Sequence, residues 1–423
     1  MPSPGRRAAA GRWEKHIVGI QCIVAALGVA VAGVAPAQEA PRALAWQDVV
    51  ERLDEDPALR EARARSEAAR AAAEATGQVP NPRWEVSAGE GQTADGSLRK
   101  TEWSVGLTIP LEWAATRGPK VDAAHAAAQA ADEEARSVRQ DALLRLRRLF
   151  VEIAHDDRLV ASLAASSRQA DELARLVRRR AESGEARPPE LPRVEVEAER
   201  ARLALALAEA RRAVRRDQLA LWLGRPVPGV VLDLARAPDV PALAEVKDRV
   251  AAEQPRVRAA RARLAAAALD LQAERNQRIP AVSVGGYALS EVDRRAVGGT
   301  LGVEVPVWNW NGGGVARATA TEAAESSRLD VARIEAASSL LESWSTCAQM
   351  RATAERLRGE VVPRAELAAG KVERAFQLGE ASLLEVLDAR RSFLETQRET
   401  LAAELAQQLE CGTLAILAGG DLR

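Results

Sequence analysis

Two periods of hydrophobicity run along this chain, one near 3.6 residues and one of two. Leu143, Leu146, Phe150 and Ile153 keep three-four spacing, and Leu163, Leu173 and Val177 continue the same apolar seam. A seam held for about 60 residues, roughly 90 Å at 1.5 Å per residue, predicts a coiled-coil helix rather than a globular one. Elsewhere apolar and polar residues alternate strictly. Trp84, Val86 and Ala88 are followed by Trp103, Val105, Leu107, Ile109 and Leu111; later come Val282, Val284 and Gly286, then Leu301, Val303, Val305 and Val307. These stretches predict strands at about 82–92, 101–112, 279–290 and 298–308.

The plan is written twice. Asp56-Pro57-Ala58-Leu59 lies in a helical context in the first half, and Gln254-Pro255-Arg256-Val257 in the second. Each helix leaves at a proline, Pro80 and Pro82 in one half and Pro280 in the other, and each is followed by a strand pair. The second strands close alike, on Ile109-Pro110-Leu111-Glu112-Trp113 and Val305-Pro306-Val307-Trp308. A long helix then starts after Arg117-Gly118-Pro119 or Asn311-Gly312-Gly313-Gly314. No Lys-Ser/Thr follows the glycines, so a strand-to-helix turn is the reading rather than a phosphate-binding loop. The long helices break at Ser183-Gly184-Glu185 and Leu378-Gly379-Glu380. A glycine ends a helix in the left-handed conformation, and proline or serine just beyond suits the next start. In the second return helix Leu387, Leu394 and Leu401 repeat every seven residues. Gly184 and Gly379 are thus the tip turns of two hairpins, over residues 183–190 and 377–388. The repeats are expected at 38–230 and 231–423.

Residues 1–37 read as a signal peptide: basic Arg6, Arg7, Arg12 and Lys15, an apolar run from Ile17 to Val34, then Ala35-Pro36-Ala37. An uncleaved anchor is the alternative, since such a run just spans a bilayer. Gly19-Ile20-Gln21 before Cys22 does not form a lipoprotein box, so no lipid is expected there. No later run approaches a transmembrane helix, so membrane entry requires a closed β-barrel. With 59 basic and 60 acidic residues the formal net charge is −1, which gives no electrostatic case for nucleic acid.

Four strands cannot close a barrel, because single-chain barrels begin at about eight. Copies must pool their strands; two give a side-chain-filled core, three give twelve strands and a bore. Trp84, Trp103, Trp113, Trp308 and Trp310 lie in or beside the strands, where an interfacial aromatic belt belongs.

The duplicated plan resembles the TolC-like outer-membrane efflux proteins over essentially all of the chain after the leader. Its most specific stretch is residues 374–390, RAFQLGEASLLEVLDAR, similar to the family's second hairpin tip. Pro280 and the run Pro306 to Gly314 fit as well, and Gly-Glu in both tips leans toward the CzcC-like heavy-metal branch. The resemblance implies a mainly helical protomer with a small β part. Three copies would form a 12-stranded outer-membrane barrel on a long periplasmic helical barrel. It also implies a periplasmic adaptor, an inner-membrane pump of the RND type, contact with outer-membrane lipid, and no cofactor. Glu385 and Asp388 would form a pore gate and selectivity ring, with Glu190 helping to hold the first tip closed. Pro188, Pro189 and Pro192 crowd that tip and depart from the family pattern.

An enzyme is not the reading. His125 and His155 sit on predicted coiled-coil helix without a nucleophile motif, and the Cys, Met and His residues past the leader do not cluster as metal ligands. Asp132-Glu133-Glu134 and Arg178-Arg179-Arg180 are taken as solvated helix faces, with adaptor docking a second role for the arginines. A periplasmic coiled-coil adaptor or structural protein is the rival function; it explains the hairpins but not the strands. Cys347 and Cys411 lie 32 residues before and after Gly379, so an antiparallel hairpin brings them together. In an oxidising compartment a disulfide is expected, against the alternative of two free buried thiols.

Overall fold

The computed structural model describes residues 43–111, 114–239 and 242–419. The leader with Cys22, and Glu112 and Trp113, lie outside the described residues. Helices α1 (Trp46–Val50) and α2 (Pro57–Thr76) lead into strands β1 (Arg83–Gln92) and β2 (Arg99–Leu111). Helices α3 (Ala114–Glu182) and α4 (Glu190–Leu223) form the first hairpin. The order then recurs: α5 (Leu243–Glu253), α6 (Pro255–Asn276), β3 (Ala281–Ser290), β4 (Arg295–Glu304), α7 (Gly312–Arg356), a π-helical turn (Leu357–Val361), α8 (Val362–Gln377) and α9 (Leu383–Leu417).

Local chemistry sets the boundaries. Asp56 caps α2 by accepting the Ala58 N–H at 2.8 Å, with Pro57 in the first turn where its missing donor costs nothing. Pro255 opens α6 in the same way. Asn311 takes a left-handed conformation (φ 52°) and its amide donates to the Glu274 carbonyl and carboxylate at 2.9 and 2.6 Å. A Cβ on Gly314 would collide with both side chains, which explains the glycine there. The Glu274 carboxylate beside this turn would also repel a phosphate.

The four strands form one antiparallel sheet in the order β1-β2-β3-β4, with β2 against β3 joining the repeats. Register places Val86, Val105, Ala288 and Val297 in one row across the sheet. The neighbouring row, on the other face, is Glu85, Gly106, Tyr287 and Gly298. One face is therefore apolar, the other polar and glycine-rich. Ser87 and Ser104 share a hydrogen bond of 2.8 Å on the polar face.

Strand limits differ from expectation chiefly at β4, which spans 295–304 rather than about 298–308. Pro306 has no N–H for a ladder, and the Val307 N–H turns back to the Val305 carbonyl at 2.9 Å. At its other end β4 starts early because a tight turn, closed by Glu291 N–H to Arg294 O at 2.8 Å, ends β3. Trp308 and Trp310 consequently stand beyond the strand, both exposed. β2 likewise begins at Arg99, after a loop closed by Thr93 N–H to Leu98 O.

The α3 seam is buried throughout, and Phe150 and Ile153 are fully enclosed with Leu219, Leu53 and Trp46. Each such side chain contributes about 1.5–3 kcal/mol of burial. On α9 the buried line differs from the leucine heptad: Leu387, Leu394 and Leu401 are half-buried, while Thr396, Thr400, Glu404, Gln407 and Gln408 are buried. The acidic run on α3 is not a solvated face either. Asp132 pairs with Arg70 of α2 at 2.7 Å, and Glu133 and Glu134 pair with Arg258 and Arg263 of α6.

Candidate functional site

Both hairpins turn by the same device. Gly184 and Gly379 hold φ of 79° and 84°, the left-handed region that favours glycine. At the first tip Glu185 N–H reaches the Arg180 carbonyl at 2.7 Å and Gly184 N–H reaches Ala181. At the second, Glu380 N–H reaches Ala375 at 2.8 Å and Gly379 N–H reaches Phe376. These paired bonds close the orphan carbonyls of each helix end as a Schellman motif.

An acid then starts each return helix. Ser382 caps α9, its Oγ accepting from the Glu385 N–H at 3.3 Å, while the Glu385 carboxylate accepts the Ser382 N–H at 2.6 Å. This capping box holds the Glu385 carboxyl below the usual range, first through the Ser382 N–H and then through its hydroxyl. Glu190 repeats one half of the arrangement, accepting the Arg187 N–H at 3.3 Å, while α4 starts after Pro189 without a side-chain cap. Pro192 falls in the first turn of α4, where no intrahelical donor is needed, so the prolines leave this contact intact. Asp388 is exposed, a turn further on, and free of such a bond. Of the three expected acids, two are engaged with their own helix starts and Asp388 alone presents an uncommitted carboxylate.

The tips lie side by side. Leu173, Val177, Val194 and Ala198 of the first hairpin bury against Phe376, Leu383 and Val386 of the second. Arg180 lies over the Phe376 ring at 4.8 Å and donates to the Phe376 and Gln377 carbonyls at 3.4 and 3.3 Å. Arg178 pairs with Glu195 at 2.6 Å. Two of the three arginines taken as solvated thus hold the tip together.

Far from the tips, the segment joining the repeats is strapped to α9 by contacts that the sequence pattern did not reveal. Gln408, fully buried, donates to the carbonyls of Asp233, Leu234 and Arg236 and accepts from Arg147 at 3.0 Å. Burial pushes the Arg147 guanidinium down to about 10, still charged at neutral pH. Glu404, also buried, receives Arg158 at 3.4 Å and Arg358 at 3.0 Å. A Gln-and-Glu signature on a helix carries no period that separates it from a solvated face, which is why these residues escape sequence reading.

Cys347 of α7 and Cys411 of α9 are joined by a disulfide, with Cα atoms 5.0 Å apart, in a buried cluster with Leu340, Leu414, Val246 and Val250. His125 is exposed, and His155 stands 3.4 Å from the carboxylate of its neighbour Asp156. Among the described residues no group of His, Cys, Asp and Glu is arranged to hold a metal, and no helix is long and apolar enough to cross a membrane.

The outer membrane efflux protein family model matches the chain twice, over residues 49–225 and 246–420. The cobalt-zinc-cadmium resistance protein CzcC of Cupriavidus metallidurans is 25% identical over 342 residues, covering 79% of this chain and 80% of that protein. Among solved structures, CusC superposes with a TM-score of 0.78 at 17% identity, over 89% of this chain and 92% of that one. The open-state outer membrane channel MtrE of Neisseria gonorrhoeae superposes with a TM-score of 0.77 at 19% identity, over 90% of each chain.

Proposed function

The chain belongs to the outer membrane efflux protein family, and from that premise we propose that it is the channel subunit of a tripartite efflux system, working as a homotrimer. It is an outer membrane protein whose helical part extends into the periplasm. The single observation that carries the assembly is the sheet: one face is apolar and exposed, yet β1 and β4 are both edge strands. Lipid does not tolerate open edges, so β1 of one copy pairs with β4 of the next. Three copies give twelve strands, with the Glu85-Tyr287 face toward the bore. The helices support the same head-to-tail contact. Val196, Leu203, Leu207, Val214 and Leu221 form an exposed apolar stripe on α4, in the first repeat. Val331, Ile334 and Leu341 form another on α7, in the second. A heterologous contact between the two stripes closes into a ring.

The subunit supplies passage and gating, with no covalent chemistry. Substrate arrives from an inner-membrane pump of the RND type through a periplasmic adaptor that meets the hairpin tips. The relative's printed role in cobalt, zinc and cadmium resistance makes divalent metal cations the cargo of this reading. Residues 1–37 serve as the cleaved export signal. The test is the mass of detergent-solubilised mature protein, expected to be three subunits, together with channels in planar bilayers. A stable monomer or dimer overturns the assembly, and a strain lacking the gene that keeps normal tolerance to all three metals overturns the cargo.

A further inference from the structure

The second hairpin changes character along its length. Near the sheet it is fixed: the Cys347–Cys411 disulfide ties α7 to α9 inside a buried cluster that α5 also enters. Ten residues beyond Cys347 the regular helix gives way to the π-helical turn Leu357–Val361. A π turn holds one more residue than an α turn and marks a local weakness in the ladder, often a kink or functional site. Here it contains Gly359, with open space where a Cβ would stand, and Pro363 follows, which has no N–H to donate.

Beyond the turn the arm is thinly packed. In the single protomer no residue between Ala354 and Phe376 is buried, and on the facing stretch of α9 none between Val386 and Thr396. Apolar anchoring resumes only at the tip cluster with Phe376, Leu383 and Val386. Few buried contacts are the structural mark of a segment that opens below the global unfolding free energy. Arg358 secures the turn itself. It donates to Glu404 at 3.0 Å and to the Ala235 carbonyl at 3.3 Å, while the other Glu404 oxygen receives Arg158 from the first hairpin. One buried carboxylate therefore couples the turn, the inter-repeat segment and the neighbouring hairpin.

We infer that the π-helical turn Leu357–Val361 is the pivot on which the tip-side arm of the second hairpin swings. The Cys347–Cys411 disulfide confines the bend to that turn, and Glu404 latches it between Arg158 and Arg358. The inference rests on the reading of the chain as a gated channel, because the arm carries the Asp388 tip.

Deleting Gly359 removes the extra residue, so α7 and α8 join as one α-helix with the downstream register unchanged. In planar bilayers the deletion protein is expected to keep the wild-type open conductance but to open several-fold less often, and Glu404→Gln to open several-fold more often. Unchanged opening in both variants overturns the pivot. Hydrogen exchange on the wild-type protein in detergent decides the matter independently of any conductance. Amides of 357–375 are expected to exchange at least about ten-fold faster than those of 340–354, and dithiothreitol to carry fast exchange back into 340–354. Equal protection on the two sides of the turn overturns the pivot. If wild-type protein forms no channel yet exchanges in this pattern, the channel reading fails and the pivot stands.

Discussion

Glu190 and Glu385 occupy equivalent places in the two repeats, each six residues after a left-handed glycine, and each accepts the backbone N–H three residues before it, at 3.3 and 2.6 Å. The duplication seen in the strands and hairpins therefore reaches the acid-to-backbone contact of the tips, although only α9 also has a side-chain cap, from Ser382. It also breaks at one point. Nine residues after the glycine the second hairpin carries Asp388 and the first carries Arg193, both exposed.

The capping role makes the first prediction. Ser382→Ala removes the side-chain cap of α9, at a cost of about 1 kcal/mol to that helix start. Faster amide exchange confined to residues 382–388 is the expected result. Because the Glu385 carboxyl is held low, the box contributes fully at neutral pH, and its contribution declines as pH falls from the ordinary glutamate range through that lowered value. Protection at the second tip should therefore hold from neutral pH down to the ordinary glutamate range and fall below it. Fraying that begins at pH 6 would show that the cap does not form.

A second prediction concerns the left-handed glycines. Gly184→Ala and Gly379→Ala place a Cβ at φ of 79° and 84°, which costs about 1–2 kcal/mol although no neighbouring atom obstructs it. Each variant should lower the thermal midpoint modestly without changing the subunit count. Gly359→Ala, at an exposed position with ordinary φ, should not lower it.

The strap between the repeats is more costly to break. Gln408→Leu takes the shared amide from the Leu234 and Arg236 carbonyls and from the buried Arg147, while the Asp233 carbonyl keeps the Arg236 N–H at 3.3 Å; each buried group left unsatisfied costs roughly 1–3 kcal/mol. Denaturant unfolding should show a loss of at least about 3 kcal/mol. A loss below about 1 kcal/mol would mean that water replaces the amide there.

The disulfide predicts no titratable thiol at Cys347 or Cys411 in denatured, unreduced mature protein. Two reactive thiols would show that the bridge does not form in the cell. Replacing both by serine should lower stability by about 2–5 kcal/mol, the range for a native bridge that closes a long loop.

Much of the architecture was legible because its signals are periodic. Alternation marked all four strands, the α3 seam from Leu143 to Val177 is buried as spaced, and the glycine turns fall at Gly184 and Gly379. What escaped was information carried by single contacts. β4 ends at Glu304 because Pro306 cannot join a ladder, although the alternation runs on through Val305 and Val307. The middle of α9 buries Thr396, Thr400, Glu404, Gln407 and Gln408, a line that the half-buried leucine heptad does not mark. The motif Ser382-Leu383-Leu384-Glu385 is also a capping box by its spacing, a local role that an acidic-tip reading of Glu385 does not include. The run Asp132-Glu133-Glu134 looked solvated because its arginine partners are remote in sequence, on α2 and α6.

The last prediction separates the two tip acids. Glu385 and Asp388 are three residues apart on α9 and share a side of the helix. In a trimer they would place six carboxylates around one constriction, and a ring of carboxylates favours cations. The Glu385 carboxylate is already turned back onto Ser382, where the N–H and hydroxyl of its own helix start answer part of its charge. Asp388 has no such partner and stands where the first hairpin offers Arg193. Asp388→Ala should therefore remove most of the cation selectivity and most of the block by trivalent cations. Glu385→Ala should disturb selectivity less and frequency of opening more, because it frees the start of α9. Asp388→Arg should reverse the preference toward anions, since it makes the two tips alike in charge. Bilayer recordings of reversal potential under a salt gradient check all three. Wild-type selectivity in the Asp388→Arg channel would place the selective ring elsewhere along the bore.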